Sequence, residues 1–291
     1  MGGLYACIAI SFSLIWGVTN LINLAHGSMI ILGAYITWLL HTRLGVDPFL
    51  TLPASAAALF AFGYALQRLL LNRVLQTSLF MTLILTFGLN MLLVNVNLAR
   101  FTADVRSITM PYAGLSLQAG DIRLPYTRIA VFVIALSMTL ALHLFLKHSR
   151  TGQSIRATAS NARAASALGI DTRAIHALTF GIGAAMAGAA GSLVAVLYAF
   201  SPVSGDALTL LLAGTGSVFG PIAGAFFIEF LATLTWSNLL NWHLGAMGLV
   251  VMLIFPEGVR SAVLDRLAAR RSAYTRAAEE PEGRAQRIGR S

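Results

Sequence analysis

The chain has 291 residues, of which 57% are hydrophobic and 11% charged, against roughly 25% charged in an ordinary soluble domain. A soluble protein this apolar would expose large sticky patches, which disfavours a soluble enzyme, a nucleic-acid-binding protein or a disordered chain and favours a polytopic membrane protein. Lys+Arg 20 against Asp+Glu 11 gives +9, and every basic residue but Lys147 is Arg; these charges fall in the gaps between apolar runs, the pattern of cytoplasmic loops facing anionic lipid rather than of a nucleic-acid-binding face.

A spanning helix needs about 20 mostly apolar residues. In chain order the apolar runs are 2–16, 27–40, 48–70, 78–98, 126–147, 174–198, 218–236 and 243–256, with a short Gly-rich ninth at 206–217. The fold class expected is therefore all-α, a transmembrane bundle of about eight helices plus broken or re-entrant segments. The first charged residue is Arg43, so the basic lead-in of a cleavable signal peptide is missing and the first helix is expected to stay as an anchor. Between the first two runs lies GVTNLINLAH (17–26), a polar interruption. Residues 1–260 are expected to form the membrane domain and 261–291 a basic, disordered cytoplasmic tail.

Charge sets the orientation. Arg73 lies in the gap between 70 and 78, with Arg68 just before it. Lys147, Arg150, Arg156, Arg163 and Arg173, against Asp171 alone, make the stretch 147–173 net +4, and eight arginines follow the last run. The positive-inside rule puts these three regions in the cytoplasm and leaves 41–47 and 99–125 outside. Parity then requires 199–217 to cross, or partly cross, with too few residues for a full helix. Irregular backbone at that depth is tolerated only where protein or water covers it. One interrupted segment in each half of a chain points to a transport pathway.

No G-x-x-x-x-G-K-[ST] is present, so the chain holds no phosphate-binding loop of that kind and active transport would need ATP hydrolysed elsewhere, or an ion gradient. Of the acidic residues only Glu229 lies well inside an apolar run, with Asp206 at the edge of the short segment; one buried carboxylate is thin support for a proton relay, and packing within the bundle explains it as well. The amides Asn20, Asn23, Asn90, Asn95 and Asn97, with Thr86, are costly facing lipid and should face protein or a cavity, as interhelical bonds or as the lining of a solute path. His26 stands alone, without the partners of a nucleophilic or metal site, and no Cys/His cluster has metal spacing. Asn20, Asn23, His26, Thr86, Asn90 and Glu229 are the candidate pathway residues; no catalytic residue, metal or cofactor is expected.

In the loop 148–173, residues 153–168 read as one helix ended by Gly169. Ile155, Ala159, Ala162 and Ala165 or Ser166 would form its small-to-apolar face, suited to docking in a partner's groove or to lying at the membrane interface. Gly181/Ala185/Ala189, Ala184/Gly188 and Gly216/Gly220/Gly224 form small-residue ridges that let helix backbones approach.

Three runs carry a family resemblance. GVTNLINLAHGSMIILGAY (17–35), TGQSIRATASNARAASALGIDTRAIHALTFGIGAAMAGAAGSL (151–193) and LAGTGSVFGPIAGAF (212–226), in that order, resemble the permease subunits of branched-chain amino-acid ABC importers, of the Liv H type. The chain departs from the family pattern at Ala213, where a glycine is usual, and runs several residues shorter between Pro202 and Gly214. The resemblance implies a bacterial inner-membrane, multi-pass subunit that is not itself an enzyme. It implies a second homologous permease, two cytoplasmic ABC ATPases and a periplasmic solute-binding protein as partners, beside membrane lipid. It assigns Gly152, Arg156, Ala157, Asn161, Ala164, Leu168 and Gly169 to an ATPase-coupling motif. The cargo implied is a branched-chain amino acid or a related small polar solute such as urea or an amide, moved by alternating access. An ion-coupled secondary transporter using Glu229 is the alternative. An intramembrane enzyme would need His26 and Glu229 brought together.

Overall fold

The structure, a computed structural model, describes residues 2–74, 79–110, 112, 114–119, 122–205 and 208. The expected spans 218–236 and 243–256, most of the short segment 206–217, Asp206, Glu229, the ridge Gly216/Gly220/Gly224 and the tail 261–291 lie outside these residues.

The described chain is mostly helical. Helices α1 (Gly2–Thr19), α2 (His26–Leu44), α3 (Leu52–Leu66), α4 (Asn72–Val74), α5 (Leu79–Phe101), α6 (Tyr126–His148), α7 (Arg150–Ser160), α8 (Ala162–Ala167) and α9 (Thr172–Leu197) follow one another, with a π-helical turn, Gln67–Leu71, joining α3 to α4. Each expected apolar run from 2 to 198 is a helix. Five helical stretches, Gly2–Thr19, Leu52–Val74, Met81–Phe101, Tyr126–His148 and Thr172–Leu197, are long and apolar enough to cross a bilayer. α2 is shorter on apolar residues and packs in the core, with His26 to Ile31 all buried. The loop after α5 holds a two-stranded antiparallel hairpin, β1 (Ser116–Ala119) and β2 (Ile122–Pro125), with Leu117 opposite Leu124.

Local chemistry sets the ends. α1 stops at Asn20, which takes a left-handed φ of 50°, a conformation Asn tolerates better than most residues. α2 stops at Gly45, φ 66°. α6 starts directly after Pro125, whose missing N–H is no loss there. α9 starts at Asp171, whose carboxylate accepts from the N–H groups of Arg173 and Ala174 and so satisfies two of the four orphan donors of a helix start.

α9 is the hub, packed on α1, α2 and α3. Its small residues allow this. A Cβ at Gly188 would meet the Ser55 carbonyl at 2.8 Å, one at Gly191 would overlap the Ile30 carbonyl oxygen, and one at Gly63 of α3 would meet the Ala184 Cβ at 2.5 Å. The 184/188 ridge thus faces α3, while Gly183 meets Ile15 of α1. Such close approach is what holds helices together where lipid removes the hydrophobic drive between them. A hydroxyl cluster pins the same junction: Thr37 donates to Ser192 at 2.7 Å, Ser192 lies 2.5 Å from Ser55, and Thr51 donates to Thr37 at 3.0 Å. All four side chains are buried. By contrast α6 turns Phe132, Val133, Leu136, Leu140 and Leu144 outward, and α5 turns out Met81, Ile84, Phe87, Leu92 and Val96, the dress of a lipid-facing or partner-facing surface.

Candidate functional site: a clasped helix break and a cytoplasmic two-helix unit

The interruption between α1 and α2 is a real break, residues 20–25. Asn23 organises it. Its side-chain oxygen accepts from the Ala25 N–H at 3.1 Å and its carbonyl accepts from the His26 N–H at 3.2 Å. This is the local turn chemistry that lets Asn replace helical bonds. Helix α5 clasps the break: Thr86 donates to the Ile22 carbonyl at 3.0 Å, and Ser28 donates to the side-chain oxygen of Asn90 at 2.5 Å. The irregular backbone is thereby tied to a neighbouring helix, as a break within a membrane bundle requires.

His26 opens α2 and is fully buried. Its Nε2 lies 2.9 Å from Ser11 Oγ, whose own hydrogen goes to the Ile8 carbonyl at 2.6 Å. Nε2 is therefore the donor to Ser11, and Nδ1 is left as a bare acceptor. Among the described residues Nδ1 has no hydrogen-bond partner. Phe12 packs edge-on against the imidazole, 5.5 Å between centroids. The stretch after α9 closes on the same place, since a Cβ at Gly205 would meet the Gly27 carbonyl carbon at 2.8 Å. Part of the second interrupted region thus packs directly on the first.

Four of the six candidate pathway residues, Asn23, His26, Thr86 and Asn90, meet at the break. Asn20 sits at its edge and is exposed, and Glu229 lies outside the described residues. Asn20 and Asn95, among the amides expected to face protein or a cavity, are not covered by the described chain. Both are exposed on the chain, and Asn95 donates to the Met91 carbonyl of its own helix at 2.7 Å. Sequence reasoning missed Ser11 and Ser28, the partners of His26 and Asn90. Ser11 lies fifteen residues before His26, on a different helix, so only the bend at 20–25 brings it near.

The second site is the loop 148–173. The single helix expected over 153–168 is two. At Asn161 the backbone turns to φ −157°, ψ 99°, and its side chain caps α8 by accepting from the Ala164 N–H at 3.0 Å. Asn competes with the helix for backbone bonds, so it ends one helix and starts the next. Ser149 caps α7 by accepting from the Gly152 N–H at 2.8 Å. Gly169 takes φ 87°, with its N–H on the Ser166 carbonyl and the Ile170 N–H on the Ala165 carbonyl, a Schellman ending as expected for glycine there. The small-to-apolar face expected for docking is split between the bundle and the surface. Gly152, Ile155, Thr158 and Ala165 are buried, while Ala159 and Ala162 are exposed. α7 packs against α6, α1 and α9.

Of the expected coupling residues, Gly152 is buried in the α6–α7 joint, Asn161 is the hinge cap, and Arg156, Ala157, Ala164, Leu168 and Gly169 are exposed. Leu168 is 84% exposed, a large apolar side chain standing off a capped turn.

The comparisons with known proteins decide the family. Residues 1–255 match the family model described as the branched-chain amino acid transport system permease component. The chain belongs to that permease family. It is 28% identical to the high-affinity branched-chain amino acid transport system permease protein LivH of Salmonella typhimurium, over 89% of this chain and 92% of that protein. It matches LivH of Escherichia coli K12 with the same identity and coverage. With BraD of Pseudomonas aeruginosa it is 30% identical, over 78% of this chain and 80% of that one. No solved structure matches the chain. Membership fits the multi-pass helical fold and a transport rather than an enzymatic role. The permease's two candidate sites are then the helix break at 20–25 and the two-helix unit 149–171.

Proposed function

We propose that this permease is the membrane subunit of an ABC importer that carries branched-chain amino acids across the bacterial inner membrane by alternating access. ATP is hydrolysed by two partner ATPases that dock on the unit 149–171, a second homologous permease completes the pathway, and a periplasmic binding protein delivers the cargo. The cargo assignment rests on what the related permeases are named for.

The observation that carries the docking reading is Leu168. An apolar side chain 84% exposed beside the basic residues of a cytoplasmic loop costs solvation unless a partner covers it. Capped ends at Ser149, Asn161 and Gly169 make the unit rigid. It rests on α1, α6 and α9, so a push on it reaches α1, which ends at the break, and α9, the hub. Closure of the ATPases would then shift the packing around residues 20–28, where Asn20, Asn23, His26, Thr86 and Asn90 offer polar contacts to a zwitterion.

The experiment is affinity capture of the tagged permease from its host in mild detergent, wild type against Leu168→Asp. The expected result is an ATPase recovered with wild type and lost with the variant while the chain itself elutes unchanged. Recovery of the same ATPase with both would refute docking at Leu168.

A further inference from the structure

At the end of the bundle where α4 meets the start of α9 there is a cleft of about 590 Å³ lined by Arg68, Asn72, Arg73, Asp171, Arg173 and Ala174. Three guanidinium groups face one carboxylate, and that carboxylate is already engaged in capping α9. Arg68 is held back toward Tyr64, donating to its hydroxyl at 2.8 Å. The Arg73 and Arg173 side chains have no hydrogen bond or ion pair among the described residues; the ion pair found there is Arg106–Asp104, elsewhere in the chain. The walls are fixed: Gln67 donates to the Asn72 side-chain oxygen at 3.1 Å, and Asn72 donates to the Arg173 carbonyl at 3.2 Å. The π-turn that carries Arg68 also turns Leu69 and Leu70 outward, 61% and 42% exposed. π-turns inside helices recur at functional sites.

We propose that this cleft binds the phosphate headgroup of an anionic phospholipid of the cytoplasmic leaflet. The charge balance calls for an anion with several acceptor oxygens, the chemistry guanidinium groups match best. A free phosphate would satisfy the arginines equally well. The exposed leucines beside them favour the lipid, because acyl chains leaving the headgroup would cover that apolar surface. Basic pockets at the cytoplasmic ends of membrane helices are a recurring way to hold such lipids. The placement in the cytoplasmic leaflet rests on the orientation used above, whereas binding itself needs neither an ATPase nor transport. Failure of one reading is therefore distinguishable from failure of the other.

The test is native mass spectrometry of the purified full-length permease titrated with phosphatidylglycerol, phosphatidylcholine or inorganic phosphate. Wild type is expected to retain phosphatidylglycerol at least about tenfold more tightly than phosphatidylcholine. Each arginine near the surface accounts for about a fivefold change, so Arg73→Gln weakens phosphatidylglycerol about fivefold and Arg73→Gln with Arg173→Gln about 25-fold. Phosphatidylcholine is unchanged in both, and Arg128→Gln, at the start of α6, changes neither lipid. Unchanged phosphatidylglycerol retention in the single variant, which alters one exposed side chain and keeps the fold, overturns the proposal. Displacement of the lipid by equimolar inorganic phosphate overturns it too, and makes the cleft a free-phosphate site.

Discussion

Gly152→Ala is the substitution with the sharpest expected consequence. A Cβ built on Gly152 meets the Phe145 carbonyl oxygen at 2.5 Å and the Leu146 Cα and carbonyl oxygen at 2.6 Å each, where ordinary contact begins at 3.4 Å. The shortfall of about 0.9 Å falls on backbone atoms of α6, which have no rotamer to escape into. Alanine gains up to about 1 kcal/mol over glycine in a helix interior, and overpacking costs about 1–3 kcal/mol. With that gain taken in full the net expectation is a loss of up to about 2 kcal/mol, relieved by α7 moving off α6 by most of an ångström. Gly169→Ala is the comparison. No atom lies within 4 Å of its added Cβ, but φ is 87°, so it pays only about 1–2 kcal/mol of backbone strain and leaves α7 in place. The assay pairs thermal stability of the purified permease with a spin-label distance between α7 and α6. Gly152→Ala lowers stability and lengthens that distance; Gly169→Ala lowers stability alone. An unchanged distance in Gly152→Ala would refute the claim that the glycine exists to let α7 touch α6.

The other predictions concern the bundle, the break and the outer loops. Gly191→Val at the α2–α9 contact is expected to cost about 3 kcal/mol or more, because the obstacle is the Ile30–Ala34 backbone; Gly88→Val in α5, where nothing lies within 4 Å, stays near wild type in the same melting assay. Asn90→Ala strips Ser28 of its acceptor and is expected to cost about 1–2 kcal/mol and to reduce uptake, whereas Asn95→Ala, whose amide bonds only its own helix, leaves uptake unchanged. Tyr112 donates to Asp47 at 2.6 Å, and burial, then this bond and the carboxylate's charge, raise its phenol above the ordinary range. A raised folded value means the bond's contribution is full below the unfolded pKa of about 10 and fades as pH rises through the folded value. The stability difference between wild type and Tyr112→Phe should therefore stay constant from pH 6 to about 9; a difference that shrinks in that window contradicts the assignment.

Apolar runs predicted every described membrane helix to within a few residues, because in lipid the backbone has no alternative to internal bonding. The break at 20–25 was also legible, since Asn20 and Asn23 interrupt an apolar pattern and are residues that accept non-helical backbone. The same reasoning misjudged Asn161. Its neighbours are strong helix formers, and only its side chain's bond to the Ala164 N–H tips the chain into a second helix. The side of α7 that packs inward was not legible for a related reason: small residues lie on every side of it, and tertiary packing buries Gly152, Ile155 and Thr158. The hydroxyl cluster Thr37–Thr51–Ser55–Ser192 and the Ser11–His26 pair join residues from separate helices. One serine or threonine in an apolar run carries no mark of the partner it will find, so their meeting is set by packing alone.

The central claim is that this permease is driven through residues 149–171 by ATPases it does not itself contain. Its most direct test is leucine uptake into proteoliposomes holding the permease with and without the ATPases captured alongside it, with ATP supplied on the cytoplasmic side. The account predicts uptake that needs ATP and the ATPases together and is lost in Leu168→Asp. Leucine movement by the permease alone, sustained by an ion gradient and indifferent to Leu168→Asp, would contradict it.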